Sequence, residues 1–337
     1  MGNFKYNLQF ENLCETLNLG ELINKPKMID GGLMHKMYVV KTTKGKYAVK
    51  ALNPSVMARP EAIKNFINSE LIANIMCKYI PALPAKLING KSLIELDSQF
   101  YLIFDWVEGK TLKNNEISAE HCKKIGAILA DMHKIDFSEL GLMDNCSSNE
   151  TLIDWIYYLH RGQEVKAIWV NELINIIDNL YVWNNKVNYA SKLLDINTTI
   201  SHGDLDPKNV MWHKNNPTII DWEAAGFIHP MFDLLETAMY WSITSAGDLD
   251  KDKFISLLDG YREKSDVLDV AWDLVLDKGF QGKLWWLEYS LKRSLRIDCT
   301  DEKEQQMGTE HVIGTIIELK NYTNMIPTLL SLLENII

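Results

Sequence analysis

Hydrophobic and polar residues form short alternating runs through the first hundred residues of this 337-residue chain. The segments HKMYVVKTT and KYAVKAL are rich in β-forming residues and flank Lys44 and Gly45, which predicts a hairpin. AKLINGKSLIEL predicts a second hairpin around Asn89 and Gly90, and the apolar run FYLIFDWV predicts a buried strand. Between them, RPEAIKNFINSELIANIMCKYI has helical spacing, and its predicted apolar stripe consists of Ile63, Phe66, Ile67, Leu71 and Ile75.

Helical periodicity dominates the remainder of the chain, as in SAEHCKKIGAILADMHKI, ETLIDWIYYLH and KAIWVNELINIIDNLYVWNN. The change falls near residues 107 to 112. It predicts a two-part α+β architecture, with a small β-rich lobe over residues 1–108 and a larger, mainly helical lobe over 109–337. Within the second part only Thr199 to Asp221 has an extended pattern, and helices resume from about Phe232.

Composition narrows the classes of partner. The net charge of -10 argues against a nucleic-acid or anionic-membrane surface and is compatible with a cationic substrate. No apolar run is long enough to span a membrane, and the N-terminus lacks both a signal-peptide core and, with Tyr6 at the required position, a myristoylation motif. The five cysteines are widely spaced and have no CxxC pair, so we expect reduced core thiols in a cytoplasmic protein.

Two short motifs carry the candidate chemistry, HGDLDPKNV at residues 202–210 and IIDW at 219–222. Transfer of a phosphoryl group from a nucleotide depends mainly on positioning and charge stabilisation. Asp204 is a candidate for the general base that accepts the proton of an attacking hydroxyl. Asn209 and Asp221 offer an amide and a carboxylate oxygen, which are ligands suited to Mg²⁺. The spacing alone recurs by chance, so the interpretation depends on matches upstream.

Those matches occur in the order that a two-lobed kinase requires. Lys50 shares an apolar strand face in YAVK, where an ammonium group needs a partner, and nucleotide phosphates would supply one. Glu70 on the following helix is the favoured ion-pair partner of Lys50, and Glu61 is the alternative. Gly31 and Gly32 precede the strand that leads to Lys50 and are either part of a phosphate-binding turn or a plain turn.

The segments SHGDLDPKNVMW and PTIIDWEAAGFIHPMFDLLETAMYW resemble the aminoglycoside phosphotransferase and choline kinase superfamily, whose fold is that of protein kinases. YAVK, NSELIANI, YLIFDWVEGKTL and LADMHKIDF follow the family order, so the resemblance extends over nearly the whole chain. It implies the same base, metal ligands and phosphate-positioning pair. It also implies that Phe104 is the gatekeeper and that the backbone of Asp105 and Val107 holds the adenine edge.

Two departures from protein kinases shape the expected substrate. DWE replaces DFG, and the distance from Asp221 to Pro230 leaves no room for a long activation segment, so we expect no protein substrate. The DGGLMHKMYVV segment lacks the full glycine-rich pattern, which leaves the role of Gly31 and Gly32 open.

The acceptor pocket is predicted from aromatic and acidic residues in GKLWWLEYSLKRSL and after the second motif. The candidates are Glu223, Trp285, Trp286 and Glu288. Aromatic faces next to carboxylates bind amines and quaternary ammonium groups, although aromatic residues at helical spacing are also ordinary core residues.

The sequence therefore predicts an ATP- and Mg²⁺-dependent kinase for a hydroxyl of a small, cationic molecule, such as an aminoglycoside-type antibiotic. A choline, ethanolamine or other metabolite kinase is the alternative, and GTP is not distinguished from ATP as donor. A catalytically silent nucleotide-binding module and a metallohydrolase are other classes. The intact set of Lys50, Asp204, Asn209 and Asp221 argues against the former, and the scarcity of clustered His and Asp ligands against the latter.

Overall fold

The computed structural model describes residues 5–29, 34–138, 141–142, 152–266, 270–299 and 301–336. Its strands are β1 Lys27–Ile29, β2 Lys36–Thr42, β3 Gly45–Ala51, β4 Ile94–Leu96, β5 Gln99–Asp105, β6 Thr199–Ser201, β7 Val210–His213, β8 Asn216–Ile219 and β9 Gly226–Ile228. Its helices are α1 Phe10–Thr16, α2 Pro54–Met57, α3 Ala62–Met76, α4 Ala119–His133, α5 Trp155–Glu164, α6 Val170–Ile174, α7 Ile177–Leu194, α8 Pro230–Ser242, α9 Lys251–Arg262, α10 Trp272–Lys278, α11 Gln281–Ser294 and α12 Glu302–Ile336. The predicted α+β order, a sheet followed by a mainly helical region, is confirmed.

The chain forms two compact units. The first comprises Met1–Lys113, Lys134–Leu142 and Ile200–Gly226, and the second comprises Asn114–His133, Met143–Thr199 and Phe227–Ile337. Residues 200–221, within the stretch predicted to be extended, thus belong to the same unit as the N-terminal sheet. The predicted lobe boundary at residues 108 and 109 stays a prediction, since a single cut does not describe these units.

A five-stranded antiparallel sheet in the order β1-β2-β3-β5-β4 organises the first unit. The predicted β2–β3 hairpin forms, with Thr42 opposite Gly45. The second hairpin is shifted from its predicted place. The Asn89–Gly90 turn closes only an isolated bridge, and β4 and β5 meet at Asp97 and Ser98 instead. Both turns have positive φ at their central residues, as in hairpin turns of type I′.

Helix α3 corrects the predicted apolar stripe. Phe66 of that stripe is buried, but Ile63, Ile67 and Leu71 are 42%, 48% and 39% exposed, and the buried face of the helix combines Phe66 with Ile72, which lies outside the predicted stripe. The prediction was wrong because this helix has apolar residues around more than one face.

Local capping explains several helix boundaries. Asn53 accepts a hydrogen bond from the Ser55 N–H ahead of Pro54, and His229 accepts one from the Met231 N–H ahead of Pro230. The helix predicted across KAIWVNELINIIDNLYVWNN is interrupted after α6, so α6 and α7 are separate helices.

In the second unit, α4 and α9 pack closely because glycines lie at their crossing. A Cβ on Gly126 would overlap the Leu257 carbonyl oxygen, and a Cβ on Gly260 would overlap that of Lys123. A buried polar link joins α4, α8 and α9, since His133 bonds Asp233 through Nε2 at 2.9 Å and the Tyr261 hydroxyl through Nδ1 at 3.0 Å. Asp233 therefore ties its helix to α4, while His229 caps that helix.

The structure bears in part on two predictions about cellular location, one based on the cysteines and one on membrane-spanning segments. Cys14, Cys77, Cys122 and Cys299 are free thiols, but Cys77 is exposed, so the expectation that all cysteines lie in the core was wrong. Cys146 lies outside the described residues. Within the described ranges, none of the helices combines the length and hydrophobicity that a membrane-spanning segment requires.

We predict that Gly260→Ala destabilises the protein by about 3 kcal/mol or more, since overpacking against a backbone carbonyl cannot be relieved by a side-chain rotation. Gly314→Ala is the matched control, because a Cβ there meets no atom within 4 Å in the middle of α12. That variant should gain up to about 1 kcal/mol from helix propensity. Urea unfolding of both variants provides the comparison, and equal effects would contradict the proposed close packing.

Candidate active site

The loop that carries Asp204 is fixed by its own side chains. The amide Nδ2 of Asn209 donates to the Asp204 carbonyl oxygen at 2.9 Å and to Asp204 Oδ2 at 3.0 Å. Lys208 Nζ lies 3.2 Å from the same carboxylate oxygen. The Asp204 side chain keeps about a third of its surface exposed, at 31%. Asp204 and Asn209, which the sequence assigned to neighbouring roles, are therefore in direct contact.

Backbone hydrogen bonds join this loop to the segment that carries Asp221. The Ile220 N–H donates to the Asn209 carbonyl at 2.9 Å. His202, fully buried, accepts from the Asp204 N–H through Nδ1 and donates through Nε2 to the Ile220 carbonyl at 3.1 Å. These contacts of His202 brace the loop against the segment that carries Asp221. Its ring also meets the indole of Trp222 edge-on, at 4.7 Å between centroids.

Asp221 lies just beyond β8 and adopts a left-handed backbone conformation, with φ 64° and ψ 63°. A non-glycine residue in this region is uncommon, and such strain is concentrated at functional sites. Gly203, with φ 72°, faces the same segment, where a Cβ would press on the Ala224 carbonyl oxygen. The two motifs thus approach each other more closely than a larger residue at position 203 would allow.

Lys50 is the centre of the charged cluster. Its ammonium group donates to Asp221 Oδ1 at 2.7 Å and to Glu223 Oε2 at 2.6 Å. Burial disfavours the ammonium, but the two carboxylates outweigh it and raise the pKa of Lys50. Burial also opposes ionisation of Asp221, yet Lys50 lowers the pKa of that carboxyl. Glu223, predicted to bind the acceptor, therefore belongs to the cluster around Lys50.

The predicted ion pair between Lys50 and Glu70 is absent, which corrects the sequence interpretation. Glu70 is buried at 3% exposure, and its Oε2 accepts the Ala85 N–H at 2.7 Å. Burial raises the pKa of Glu70 to about 7, although the Ala85 bond and the charge of Lys50 act in the opposite direction. Asp221 and Glu223 already neutralise Lys50, so a third carboxylate is not needed as its ion-pair partner.

Residues 81–86, here called the connecting segment, hold three elements together. Leu83 N–H donates to the Ile219 carbonyl and Ile219 N–H donates to the Pro81 carbonyl, both at 2.8 Å. Lys86 N–H donates to the Ile103 carbonyl on β5 at 2.7 Å. With the bond from Ala85 to Glu70, the segment links α3, β5 and the strand before Asp221. Sequence patterns gave no signal for these contacts.

The predicted hinge follows β5. Phe104 is buried at 8% exposure. Trp106, directly after β5, donates its N–H to the carbonyl of Lys46 on β3 at 3.2 Å. Trp106 and Lys46 are thus a hydrogen-bonded pair of the antiparallel ladder. In an antiparallel ladder the adjacent residue, Asp105, then directs its N–H and C=O away from β3. That orientation suits contact with a ligand edge, and the nucleotide-binding roles of Asp105 and Val107 stay predictions.

His35 is a site residue that sequence reasoning missed. It is buried at 5% exposure, and its Nε2 lies 3.5 Å from Glu223 Oε2. Burial, followed by the charge of Lys50, lowers the pKa of His35 to about 4, although Asp221 acts in the opposite direction. Gly31 and Gly32, predicted to touch phosphate, lie outside the described residues.

Among the predicted acceptor residues of the second unit, Trp286 lies on a different face of α11 from Trp285 and Glu288. Glu288 accepts the Tyr158 hydroxyl at 2.8 Å and pairs with Lys292 Nζ at 2.8 Å. Trp285 is 52% exposed, whereas Trp286 packs beside the rings of Tyr289 and His311. Trp286 is thus part of an aromatic cluster rather than a partner of Glu288.

The donor set suits magnesium. Both hydrogen bonds of the Asn209 side chain use Nδ2, which leaves Oδ1 as the oxygen that could coordinate a metal ion, and two carboxylates converge on Lys50 nearby. Among the described residues no group of three or more His, Cys, Asp or Glu forms a complete protein cage. Mg²⁺ does not require one, since it keeps waters and binds substrate phosphates alongside one or two carboxylates.

A family model described as the phosphotransferase enzyme family matches residues 27–266. The chain belongs to this family. The prediction of a phosphotransferase is thereby confirmed, and so is the resemblance on which it was based. A homoserine kinase from Methylobacillus glycogenes is 30% identical over 126 residues, and this match spans 37% of either protein.

Solved structures of similar fold cover nearly the whole chain. A spectinomycin phosphotransferase in complex with ADP and spectinomycin has a TM-score of 0.66 at 12% identity, covering 93% of this chain and 98% of the other. A microcompartment-associated aminopropanol kinase has a TM-score of 0.63 at 13% identity, covering 94% and 98%. A choline kinase from Cryptosporidium parvum Iowa II has 0.61 at 14%, covering 97% and 98%. At these identities the likeness establishes the fold, and the predicted kinase-like fold is confirmed.

We predict that Glu70→Gln removes a pH dependence of stability. The folded-state pKa of Glu70, about 7, lies above the unfolded value, so the free energy of unfolding falls as pH rises toward and through 7. Glutamine keeps the acceptor for the Ala85 N–H and has no proton to lose, so the variant should gain on the wild type between pH 5 and 8. Urea unfolding across that range measures the gap, and parallel pH curves would refute the assignment.

Proposed function

We propose that this protein is a kinase that transfers the γ-phosphoryl group of ATP to a hydroxyl of a small molecule, with Mg²⁺ as cofactor. The single observation that carries the proposal is the fixed assembly of Asp204, Asn209 and Asp221 beside buried Lys50. A general base, two oxygen ligands and a phosphate-directed ammonium are the parts that phosphoryl transfer needs. Membership in the phosphotransferase family supports the same reading.

Each side chain has a defined task in this proposal. Asp204 accepts the hydroxyl proton while the acceptor oxygen bonds to the γ-phosphorus and the bond from that phosphorus to the ADP oxygen breaks. Asn209 Oδ1, Asp221 and Glu223 would hold Mg²⁺, which neutralises the charge of the phosphate oxygens. With Mg²⁺ on the carboxylates, the Lys50 ammonium would pair with the nucleotide phosphates. Asp105 and Val107 offer backbone groups to the adenine edge.

The acceptor that we favour is a small amino alcohol. Choline, ethanolamine and aminopropanol kinases are among the similar structures, and these acceptors combine a hydroxyl with a cationic nitrogen. Glu288 supports this class, because it already pairs with the Lys292 ammonium at 2.8 Å and is held by the Tyr158 hydroxyl. Burial, followed by the adjacent Glu288, raises the pKa of Tyr158, so its hydroxyl stays a donor.

An aminoglycoside-type antibiotic is the second candidate acceptor. The spectinomycin phosphotransferase has the highest TM-score among the similar structures described above, and this supports it. ADP release with ATP and Mg²⁺ against a panel of amino alcohols, homoserine, aminoglycosides and macrolides tests both candidates. Stimulation by one class selects it, and nucleotide binding without turnover by any compound would favour the silent binding module instead.

We predict that Asp204→Asn lowers kcat by roughly 10² to 10⁴, the usual contribution of general-base catalysis. Asparagine retains an acceptor for Asn209, so the affinity for the magnesium–nucleotide complex should change little. Steady-state kinetics with the best acceptor of the panel, together with calorimetric nucleotide binding, measures the two quantities. A variant that keeps full turnover would remove Asp204 from the role of base.

We predict that Glu288→Gln raises the KM for a cationic acceptor about tenfold and leaves the KM for ATP unchanged, since an ion pair to a partly buried carboxylate is lost. Glu172→Gln is the matched control, because Glu172 pairs with Lys320 in the same unit and has no proposed role in binding. Equal changes in both KM values would count against Glu288 as the acceptor's ligand.

A further inference from the structure

His35 lies at the entrance to β2 and is enclosed by three different elements. Its ring meets Phe66 of α3 edge-on, with 5.6 Å between centroids. Its Nδ1 accepts the N–H of Asn53, the cap residue of α2, at 2.9 Å. Its Nε2 points toward Glu223 Oε2 at 3.5 Å. A histidine that only filled the core would need neither the bond from Asn53 nor the approach to Glu223.

The bond from Asn53 fixes the protonation state of the imidazole. A backbone N–H can only donate, so Nδ1 must carry the lone pair and the ring proton must be on Nε2. The ring proton therefore lies on Nε2, which is 3.5 Å from Glu223 Oε2 and so farther than an ordinary hydrogen bond, and the ring is neutral. His35 is thus placed like a residue that contacts a metal ligand from outside the coordination sphere. Such a residue orients the ligand, and a neutral one adds no charge to the site.

Glu223 Oε2 is the oxygen that both His35 and Lys50 approach. In the function proposed above, Lys50 moves to the phosphates, and Glu223 then needs another donor to hold its orientation. We propose that His35 is a positioning residue that holds Glu223 for its part in binding the magnesium–nucleotide complex. The inference rests on the proposed function and adds a residue outside both sequence motifs.

His35→Asn separates positioning from structural support. Asparagine places its Oδ1 near the position of the imidazole Nδ1, so it retains the acceptor for the Asn53 N–H. It has no atom that reaches the position of Nε2, so the donor to Glu223 is lost. The protein should therefore fold with a nearly unchanged midpoint of thermal unfolding.

The measurement is Mn²⁺ binding in the presence of a non-hydrolysable ATP analogue, followed by electron paramagnetic resonance, which requires no acceptor and no turnover. We expect the Mn²⁺ affinity of His35→Asn to fall about 10- to 100-fold, as for outer partners of metal ligands. Glu223→Gln should produce a loss of similar direction. The double variant should then lose little more than Glu223→Gln alone, because His35 acts through Glu223.

Three outcomes overturn the inference. Unchanged Mn²⁺ affinity in His35→Asn would show that Glu223 needs no donor from the imidazole. If the losses of affinity from His35→Asn and Glu223→Gln add in the double variant, His35 acts independently of Glu223, for example through general stability. This conclusion holds whether or not His35→Asn alone lowers the stability. Failure of the wild-type chain to bind the metal–nucleotide complex at all would overturn the proposed function itself, and this inference with it.

Discussion

The arrangement of the candidate site depends on the neutralisation of one buried ammonium. Lys50 faces inward on a central strand of the sheet, where it cannot be hydrated, so carboxylates must come to it. Asp221 and Glu223 meet this requirement from a single short segment. The left-handed backbone of Asp221 and the absence of a side chain at Gly203 are local consequences of bringing that segment into place.

Because Asp221 and Glu223 already neutralise Lys50, the other acidic side chains of the site have other hydrogen-bond partners. Glu70 is buried nearby but accepts a backbone N–H, and its pKa of about 7 reflects the cost of ionisation without a direct cationic partner. Asp204, by contrast, keeps part of its surface open and is held by an amide and an ammonium group. The surroundings of these two carboxyl groups therefore differ, and we assign them different roles.

Site residues that lie close together in the chain could be singled out from the sequence. Asp204, Asn209 and Asp221 are close in the chain and were singled out by their spacing, and the structure brings the first two into contact. The β2–β3 hairpin followed from its turn residues. The partner of Lys50 was not predictable, because helical periodicity places Glu70 on α3 but says nothing about the competing amide of Ala85. His35 was missed for a related reason: its contacts come from residues 18 and 188 positions away in the chain.

The connecting segment has a consequence for variation in length. Its backbone is bonded within six residues to α3, to β5 and to the strand before Asp221. An inserted residue would move at least one of these bonds out of register, and so would displace either Asp221 or the segment that follows β5. The turn at Asn89 and Gly90 closes an isolated bridge in an otherwise irregular stretch, and it can absorb extra residues without disturbing the sheet. Natural insertions in this part of the chain should therefore collect at the turn and be excluded from the segment that precedes it.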